Sequence, residues 1–307
     1  MKSKPKVVVI AGPTASGKTE LAIHLAKHFS AEIVNADSMQ VYRGMDIGTA
    51  KPTLEQRKRV PHHLIDVVNP DEEFNAAIYR ELALDSIQNI WSRRKLCFVV
   101  GGTGLYIRAL LGGLLYVPPK DPELRNRLRK EAQEQGLKEL YKRLFEYDPE
   151  YAKLIHPNDR VRIIRALEIY YLTGKKNSEL IKKHGFRDSS LDALKIFLHI
   201  SRKELYEKID KRCTRMIESG LIEETRRLLV QGYSPELKPM QAIGYRQIVK
   251  YIQGEWSLKE ALRRMQTDTR RYAKRQITWF KKEPEMIWIP PENIERIREE
   301  ISNFISR

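Results

Sequence analysis

Three short apolar runs in the first hundred residues predict buried β-strands. They begin at Lys6, Ala31 and Lys95, and turn-forming residues follow each of them. Between the runs, apolar residues recur at helical spacing, first over 18–29 and then over 75–94. Strands that are apolar on both faces are typical of a parallel sheet with helices on both sides. The pattern therefore predicts a parallel α/β core at the start of the chain.

The hydrophobic pattern changes at residues 117–119, which include two consecutive prolines. From there to about Lys195 the periodicity is helical, and it predicts helices at 121–135, 137–147 and 159–172. No convincing strand interrupts this stretch. The segment therefore has the character of an all-helical insertion.

A further apolar run beginning at Ala193 predicts a strand that returns to the sheet, and long helices follow, the last over 258–281. We therefore expect a core built from residues 1–117 and 196–307. The all-helical insertion domain occupies 118–195 in this interpretation.

The loop between the first strand and the first helix has the spacing G-x-x-x-x-G-K-T, that of a phosphate-binding P-loop. Backbone N–H groups of such a loop converge on one anion, and the helix N-terminus adds the positive end of its dipole. Lys18 supplies a cation for the outer phosphate, and the Thr19 hydroxyl is the candidate ligand for Mg²⁺. The strand before the loop and the helix after it support a P-loop NTPase-like core. The candidate diphosphate-binding residues are Gly12, Pro13, Thr14, Ala15, Ser16, Gly17, Lys18 and Thr19.

Asp37 follows the second predicted strand, and a glycine-rich turn, 101–104, follows the strand beginning at Lys95. Because the carboxyl ends of parallel strands face the ligand crevice, both should lie beside the phosphate loop. For Asp37, a helix N-cap or a magnesium ligand is the alternative to a catalytic role. The adjacent His62 and His63 lack a third metal ligand at recognisable spacing, so we interpret them as structural.

The chain is strongly basic, with a net charge of +16 that is concentrated in its second part. Residues 1–117 contain 15 Lys and Arg against 11 Asp and Glu, whereas 118–307 contain 41 against 29. Such an excess favours a polyanion, nucleic acid first, although solubility alone is an alternative. Over 258–281, arginines and lysines alternate with aromatic residues, a composition that suits RNA.

We predict a cytoplasmic protein that does not bind membranes. No window approaches eighteen uninterrupted apolar residues, and residues 1–5 lead directly into the first strand without a signal peptide. Cys97 and Cys213 are far apart in the sequence, which favours a reduced compartment.

Several motifs, in order from residue 12 to 280, resemble those of the bacterial tRNA dimethylallyltransferase (tRNA isopentenyltransferase) family. Besides the P-loop, they are A-D-S-M-Q-V-Y from Ala36, M-D-I-G-T-A-K-P from Met45, P-H-H-L-I-D from Pro61, V-G-G-T-G-L-Y from Val100, I-H-P-N-D from Ile155, R-A-L-E from Arg165, A-I-G-Y-R from Ala242 and Y-A-K-R-Q-I-T-W-F from Tyr272. The P-loop alone is weak evidence, but the combination is specific.

The resemblance implies transfer of a dimethylallyl group from dimethylallyl diphosphate to N6 of the adenosine 3′ to the anticodon. The tRNAs are those that read codons beginning with U, diphosphate leaves and Mg²⁺ assists. By the resemblance, the catalytic residues are Asp37, Thr19, Thr103 and Arg212, with Asp37 the base that takes the proton of the amine.

The resemblance also implies a tRNA-binding surface, with the insertion domain clasping the anticodon stem-loop of a tRNA bound by a monomer. The residues implied to contact tRNA are Asp37, Ser38, Met39, Gln40, Thr103, Arg125, Val161, Arg162, Ile163, Ile164, Arg165, Gln241, Ala242, Ile243, Gly244, Tyr245 and Arg246.

Two alternatives remain open at this point. An adenine-nucleotide prenyltransferase would share the catalytic chemistry but would need neither a clasping domain nor a basic helix. A P-loop small-molecule kinase would use ATP, and its helical insertion could be a lid over the phosphates.

Overall fold

The computed structural model describes residues 4–115, 117–119, 121–186 and 190–307, and in them six strands form one parallel sheet. The strand order across the sheet is β3-β2-β4-β1-β5-β6. The prediction of a parallel α/β core is confirmed. The strands are β1 Lys6–Ala11, β2 Glu32–Asn35, β3 His62–His63, β4 Cys97–Gly101, β5 Asp192–Leu198 and β6 Ile287–Ile289.

Helices connect the strands, and among the described residues between β4 and β5 they are the only regular secondary structure. They are α1 Lys18–His28, α2 Leu54–Arg59, α3 Ala76–Ser92, α4 Gly104–Gly112, α5 Pro122–Glu134, α6 Leu137–Tyr147, α7 Pro149–Leu154, α8 Arg160–Thr173, α9 Asn177–His184, α10 Arg202–Glu218, α11 Leu221–Val230, α12 Tyr245–Ile252, α13 Leu258–Phe280 and α14 Ile294–Ser306. The helices predicted within 121–172 lie where the periodicity placed them, to within about two residues.

Apolar side chains are buried on both faces of the sheet, as the sequence pattern predicts. Along β1, Val7 and Val9 pack into one cluster together with residues of α3, α10 and α13. Val8 and Ile10 point to the opposite face and pack with residues of α1 and α14. This alternation follows from the two-residue period of a strand, and the strand order places β1 inside the sheet, between β4 and β5.

The chain divides into two compact units, 1–111 with 189–307 and Gly112–Asp188. The second unit has its own apolar core, to which Leu128, Leu140 and Leu167 contribute. The sequence analysis put these boundaries at 118 and 195. The observed return is earlier because β5 already pairs with β1 at Asp192, opposite Lys6.

Two elements near the C-terminus, β6 and α14, have no counterpart in the sequence-based prediction. The strand is only three residues long, so it offers little periodicity, and it is recognisable only by its pairing with β5. Within the described residues, no helix is both long and apolar enough to cross a bilayer.

Candidate active site

The phosphate loop connects β1 to α1 at the centre of the sheet. Ala15 and Gly17 both adopt positive φ, 67° and 82°, which turns the backbone sharply before the helix begins. The Lys18 ammonium folds back over this turn and donates to the carbonyls of Gly12, at 2.9 Å, and Pro13, at 2.7 Å. Proline has no N–H, so within this loop Pro13 contributes its carbonyl rather than a donor to an anion.

Three charged groups influence one another electrostatically beside the loop. Burial, followed by the nearby Arg212 guanidinium, lowers the pKa of Lys18 to about 7, while the Asp37 carboxylate opposes that shift. Burial also lowers the pKa of Arg212, again against the effect of Asp37. The structure thus brings together the cation, the acid and the arginine that the sequence analysis selected from separate segments.

Asp37 lies directly after β2, at the junction of two cavities. One, of about 40 Å³, is also lined by Lys18 and Thr19. The other, of about 510 Å³, is lined by Asp37, Arg212 and Thr14 among others. The carboxylate accepts a hydrogen bond from the backbone N–H of Met39 at 2.8 Å, so it caps a turn and no helix starts there.

The second glycine turn places Thr103 next to Asp37. The Thr103 hydroxyl accepts from the N–H of Ser38 at 3.0 Å, and it shares a hydrogen bond with the side chain of Tyr272. Burial raises the pKa of Tyr272. A Cβ at Gly101 would lie 2.2 Å from the carbonyl oxygen of Ala36, so only glycine allows the two strand ends to approach this closely.

The larger cavity, named the acceptor cleft below, collects most of the predicted tRNA-binding residues of the first unit. Its walls contain polar, cationic and apolar side chains in similar measure. The predicted residues among its lining are Asp37, Ser38, Met39, Arg212, Gln241, Ala242, Ile243 and Arg246. Gln40 instead lines the smaller cavity beside Lys18, where its amide donates to the carbonyls of Thr49 and Ala50.

Tyr245 is fully buried and cannot present its ring to a ligand in this structure. Its hydroxyl donates to Glu224 at 2.6 Å, and the neighbouring Gly244, at φ 100°, forms the bend that starts α12. A Cβ at Gly48 would lie 2.5 Å from the tyrosine ring, so the ring packs flush against the loop after β2. Any role of Tyr245 in binding is therefore exerted through that loop.

Glu224 is a functional residue that the sequence analysis missed. It is buried, and its carboxylate accepts from three consecutive backbone N–H groups, those of Asp46, Ile47 and Gly48, at 2.9–3.1 Å. With the Tyr245 hydroxyl, four donors surround the anion. Gly48 and Thr49 line the acceptor cleft, whereas Glu224 does not. Glu224 therefore fixes the backbone of one cleft wall from the side that faces the protein interior.

The two adjacent histidines have protein partners. The His63 ring lies 2.8 Å from Glu32, and the His62 ring lies 2.7 Å from the carbonyl of Val60. Over the described ranges, no group of three His, Cys, Asp or Glu side chains is arranged to hold a metal ion. These contacts support the structural interpretation of both rings.

In the second unit, two of the predicted arginines converge on one buried carboxylate. Arg125 and Arg165 approach Glu168 at 2.5 and 2.7 Å, and the N–H of Asp121 donates to the same carboxylate at 2.8 Å. Burial opposes ionisation of Glu168, but the hydrogen bonds from Arg165 and Arg125 outweigh it and lower the pKa. Arg165 also donates to the carbonyl of Pro118 at 2.9 Å.

The predicted residues 161–165 lie on two faces of α8. Val161 is 79% exposed, and Arg162, also exposed, pairs with Asp159 at 2.7 Å. Ile163 and Ile164 are buried in the core of the second unit. Their side chains are packed against other helices, so only their backbone remains for contact with a ligand.

Comparisons with known proteins find relatives over nearly the whole chain. The profile of one protein family, described as IPP transferase, matches residues 40–283. The chain is similar to the tRNA dimethylallyltransferase 2 of Geotalea uraniireducens, with 53% identity over 99% of both chains. It is similar to the tRNA dimethylallyltransferase of Geobacter sulfurreducens, with 51% identity over 96% of this chain and 95% of the relative.

Solved structures of related proteins have the same fold. The tRNA isopentenylpyrophosphate transferase of Bacillus halodurans superposes with a TM-score of 0.74 at 39% identity, covering 99% of this chain and 97% of that one. A eukaryotic dimethylallyltransferase described as acting on tRNA superposes with a TM-score of 0.81 at 31% identity, covering 98% of this chain and 77% of its own.

Proposed function

The chain belongs to the IPP transferase family, and we propose on that basis that it transfers a dimethylallyl group from dimethylallyl diphosphate to tRNA. The acceptor is N6 of the adenosine 3′ to the anticodon, in tRNAs that read codons beginning with U. The C–O bond to the diphosphate breaks, a C–N bond forms and the amine loses one proton. Diphosphate is released and ATP is not consumed.

The position of Asp37 is the observation that carries this proposal. Its carboxylate borders both the small cavity beside Lys18 and Thr19 and the acceptor cleft. An acid between a cationic diphosphate site and a nucleotide-sized cleft is placed to orient the adenine amine and accept its proton. Adenine N6 is a weak nucleophile because its lone pair is delocalised into the ring, so a positioned base contributes directly to the rate.

In this proposal the phosphate loop binds the diphosphate that leaves in the reaction. Lys18 and Arg212, together with backbone N–H groups of the loop after Pro13, neutralise the charge that develops on the diphosphate as the C–O bond breaks. The Lys18 ammonium already donates hydrogen bonds to the carbonyls of Gly12 and Pro13. Dimethylallyl diphosphate offers stronger, charged acceptors, so we expect the ammonium to turn towards them on binding.

Magnesium fits the residues at this site. Thr19 offers a hydroxyl oxygen beside Lys18 in the smaller cavity, and the diphosphate and water supply the further oxygen ligands that Mg²⁺ prefers. When bound, the ion would neutralise part of the charge on the leaving diphosphate.

The acceptor cleft is the part of the first unit that we propose receives the extruded adenosine. A base that reacts at N6 must leave the stack of the anticodon loop, because its edge is otherwise inaccessible. Arg246, Arg271 and Arg275 line this cleft and are the cations that we propose for tRNA phosphates. Asp268 in the same lining pairs with Arg246 at 2.8 Å and with Arg271 at 3.6 Å, so these two arginines must share or exchange that partner when RNA binds. Arg162 and Arg165 of the second unit are the further phosphate contacts in the proposal, by which that unit clasps the anticodon stem-loop.

One assay separates the two prenyltransferase candidates, and a second assay with ATP and small-molecule acceptors tests the kinase. Purified protein is incubated with Mg²⁺ and labelled dimethylallyl diphosphate, and either unmodified tRNA or AMP is the acceptor. We expect label in tRNA only. Label in AMP but not in tRNA would support an adenine-nucleotide prenyltransferase, and ATP-dependent phosphorylation of a small molecule would support a kinase.

A monomeric, cytoplasmic state remains part of the proposal. Sedimentation of the free protein tests the monomer, and fractionation of cells tests the location.

A further inference from the structure

One buried glutamine joins the two loops between which the reaction would occur. Gln276 lies on α13 and is 5% exposed. Its side-chain oxygen accepts from the backbone N–H of Thr14 in the phosphate loop at 2.8 Å. Its side-chain nitrogen donates to the carbonyl of Gly102 in the second glycine turn at 3.0 Å. Gln276 is absent from the lining of both cavities, so it acts behind the site rather than in it.

The packing around this amide leaves little freedom. A Cβ at Gly102 would lie 2.1 Å from the glutamine nitrogen and 3.2 Å from the carbonyl oxygen of Gly12. The two loops therefore approach closely, and the amide fits between a donor on one and an acceptor on the other. Only a side chain with one acceptor and one donor at this length makes both hydrogen bonds.

The same helix also reaches the side chain of Thr103 in the second glycine turn. Tyr272, one helical turn before Gln276, hydrogen-bonds the side chain of Thr103 and lines the acceptor cleft. Helix α13 thus contacts the backbone of the second glycine turn through Gln276. It contacts the Thr103 side chain of the same turn through Tyr272. The glutamine adds the phosphate loop to this connected set.

We propose that Gln276 is a positioning residue that fixes the phosphate loop relative to the turn carrying Thr103. The inference rests on the proposed function, because it assigns the diphosphate to one of these loops and the acceptor adenosine to the neighbourhood of the other. Holding both loops on one amide sets the separation between the breaking C–O bond and the attacking amine. Small errors in such an alignment cost rate, and a displacement of about 1 Å can cost about 100-fold.

The test compares two substitutions with a control on the same helix. Gln276→Met keeps the length and removes both hydrogen bonds. Gln276→Glu keeps an acceptor for Thr14 and places a second carboxylate oxygen against the Gly102 carbonyl. Thr278→Val is the control, because its exposed hydroxyl bonds only to the carbonyl of Lys274 among the contacts described here. Each protein is assayed for kcat and for KM with tRNA, and titrated calorimetrically with inorganic diphosphate in the presence of Mg²⁺.

We expect Gln276→Met to lower kcat by about 10- to 100-fold with the KM for tRNA changed less than about threefold. Diphosphate affinity should fall several-fold because the phosphate loop loses its anchor. Gln276→Glu should also lower kcat, and it adds negative charge that weakens diphosphate binding further. The two substitutions disturb the buried site in different ways, so thermal denaturation of both will report which variant folds, and that variant carries the comparison with Thr278→Val.

Wild-type kcat and wild-type diphosphate affinity in a folded Gln276 variant would overturn the inference. A loss of the same size in Thr278→Val would also overturn it, since general disturbance of α13 would then be the cause. If the wild-type protein binds diphosphate but transfers nothing to tRNA, the proposed function fails, and the diphosphate affinities alone decide the role of Gln276. If diphosphate does not bind to the wild-type protein, both proposals fail.

Discussion

Three charged residues beside the phosphate loop of the first unit and the arginine helix α8 of the second unit differ in how their charges are paired. The Asp37 carboxylate acts electrostatically on both Lys18 and Arg212, yet none of these three is in an ion pair within the residues that the structure describes. Of the three arginines on α8, two are already paired with acids of their own unit. Arg165 pairs with the buried Glu168 and Arg162 with Asp159.

From this difference we expect the residues beside the phosphate loop to act in the chemical step and the arginines of α8 to act in tRNA binding. Charges without a fixed counterion are available to interact with a ligand, so a change at Lys18, Asp37 or Arg212 should affect the chemical step. A paired arginine must share or exchange its partner when RNA binds, so its loss should affect affinity or folding while kcat at saturating tRNA is unchanged. The following predictions test this separation, beginning with the largest expected effect.

Replacement of Asp37 should have the largest effect, and the effect should be on kcat. Asp37→Asn retains an oxygen that can accept from the Met39 N–H, so the turn after β2 is preserved while the base is lost. We expect kcat to fall about 10²- to 10⁴-fold, the usual contribution of a general base. The affinity for tRNA, measured by filter binding, should stay within about threefold. A wild-type kcat in this variant would remove Asp37 from the chemical step.

Replacement of Glu168 should instead destabilise the second unit. Glu168→Ala leaves two arginines without their common partner, and breaking a buried ion pair typically costs about 3–5 kcal/mol. Hydrogen exchange of the α5 and α8 amides measures this loss locally. Glu150→Ala, which breaks the exposed pair with Lys182 at 2.7 Å, is the matched control and should cost less than about 1 kcal/mol. Equal protection in both variants would mean that Glu168 does not anchor this unit.

The two regions also differ in how far the sequence predicted them. The phosphate loop is a local pattern, and Asp37 and Thr103 follow from the rule that strand ends share one edge of a parallel sheet. Tertiary contacts between distant segments cannot be found in this way. Glu224 is one of two adjacent acids on an amphipathic helix, and Gln276 lies within the basic and aromatic run whose composition suits RNA.

The burial of particular motif residues was also beyond prediction. The motif that contains Tyr245 indicated tRNA contact, and nothing in its composition shows that the hydroxyl points inward to Glu224. For 161–165, helical geometry requires that some residues face the core, but the sequence does not fix the rotation of α8. Ile163 and Ile164 face inward, whereas Val161 and Arg162 face outward.

The stability of the second unit should depend on pH through Glu168. Its hydrogen bonds from Arg165 and Arg125 lower its pKa below the ordinary 4.5, despite burial. A carboxyl with a depressed folded-state pKa contributes stability above its unfolded pKa and loses it as pH falls through the folded value. Protection of the α5 and α8 amides should therefore decline below about pH 4.5. In Glu168→Gln the slope of the opening free energy against pH should be smaller, by an amount that corresponds to at most one bound proton. Glu150→Gln should retain the wild-type slope.

The smallest expected effect is that of Arg162→Ala, which isolates charge from folding. Its partner Asp159 is three residues away at the surface, so we expect less than about 1 kcal/mol of lost stability. If Arg162 contacts a phosphate, tRNA affinity should fall a few-fold and the slope of log affinity against log salt should decrease by about one. The kcat at saturating tRNA should be unchanged.

Arg165→Ala is the informative contrast, because loss of its bonds to Glu168 and the Pro118 carbonyl should lower both affinity and stability. An unchanged salt slope in Arg162→Ala would leave this face of α8 as ordinary surface, and a reduced kcat would break the separation between the two regions.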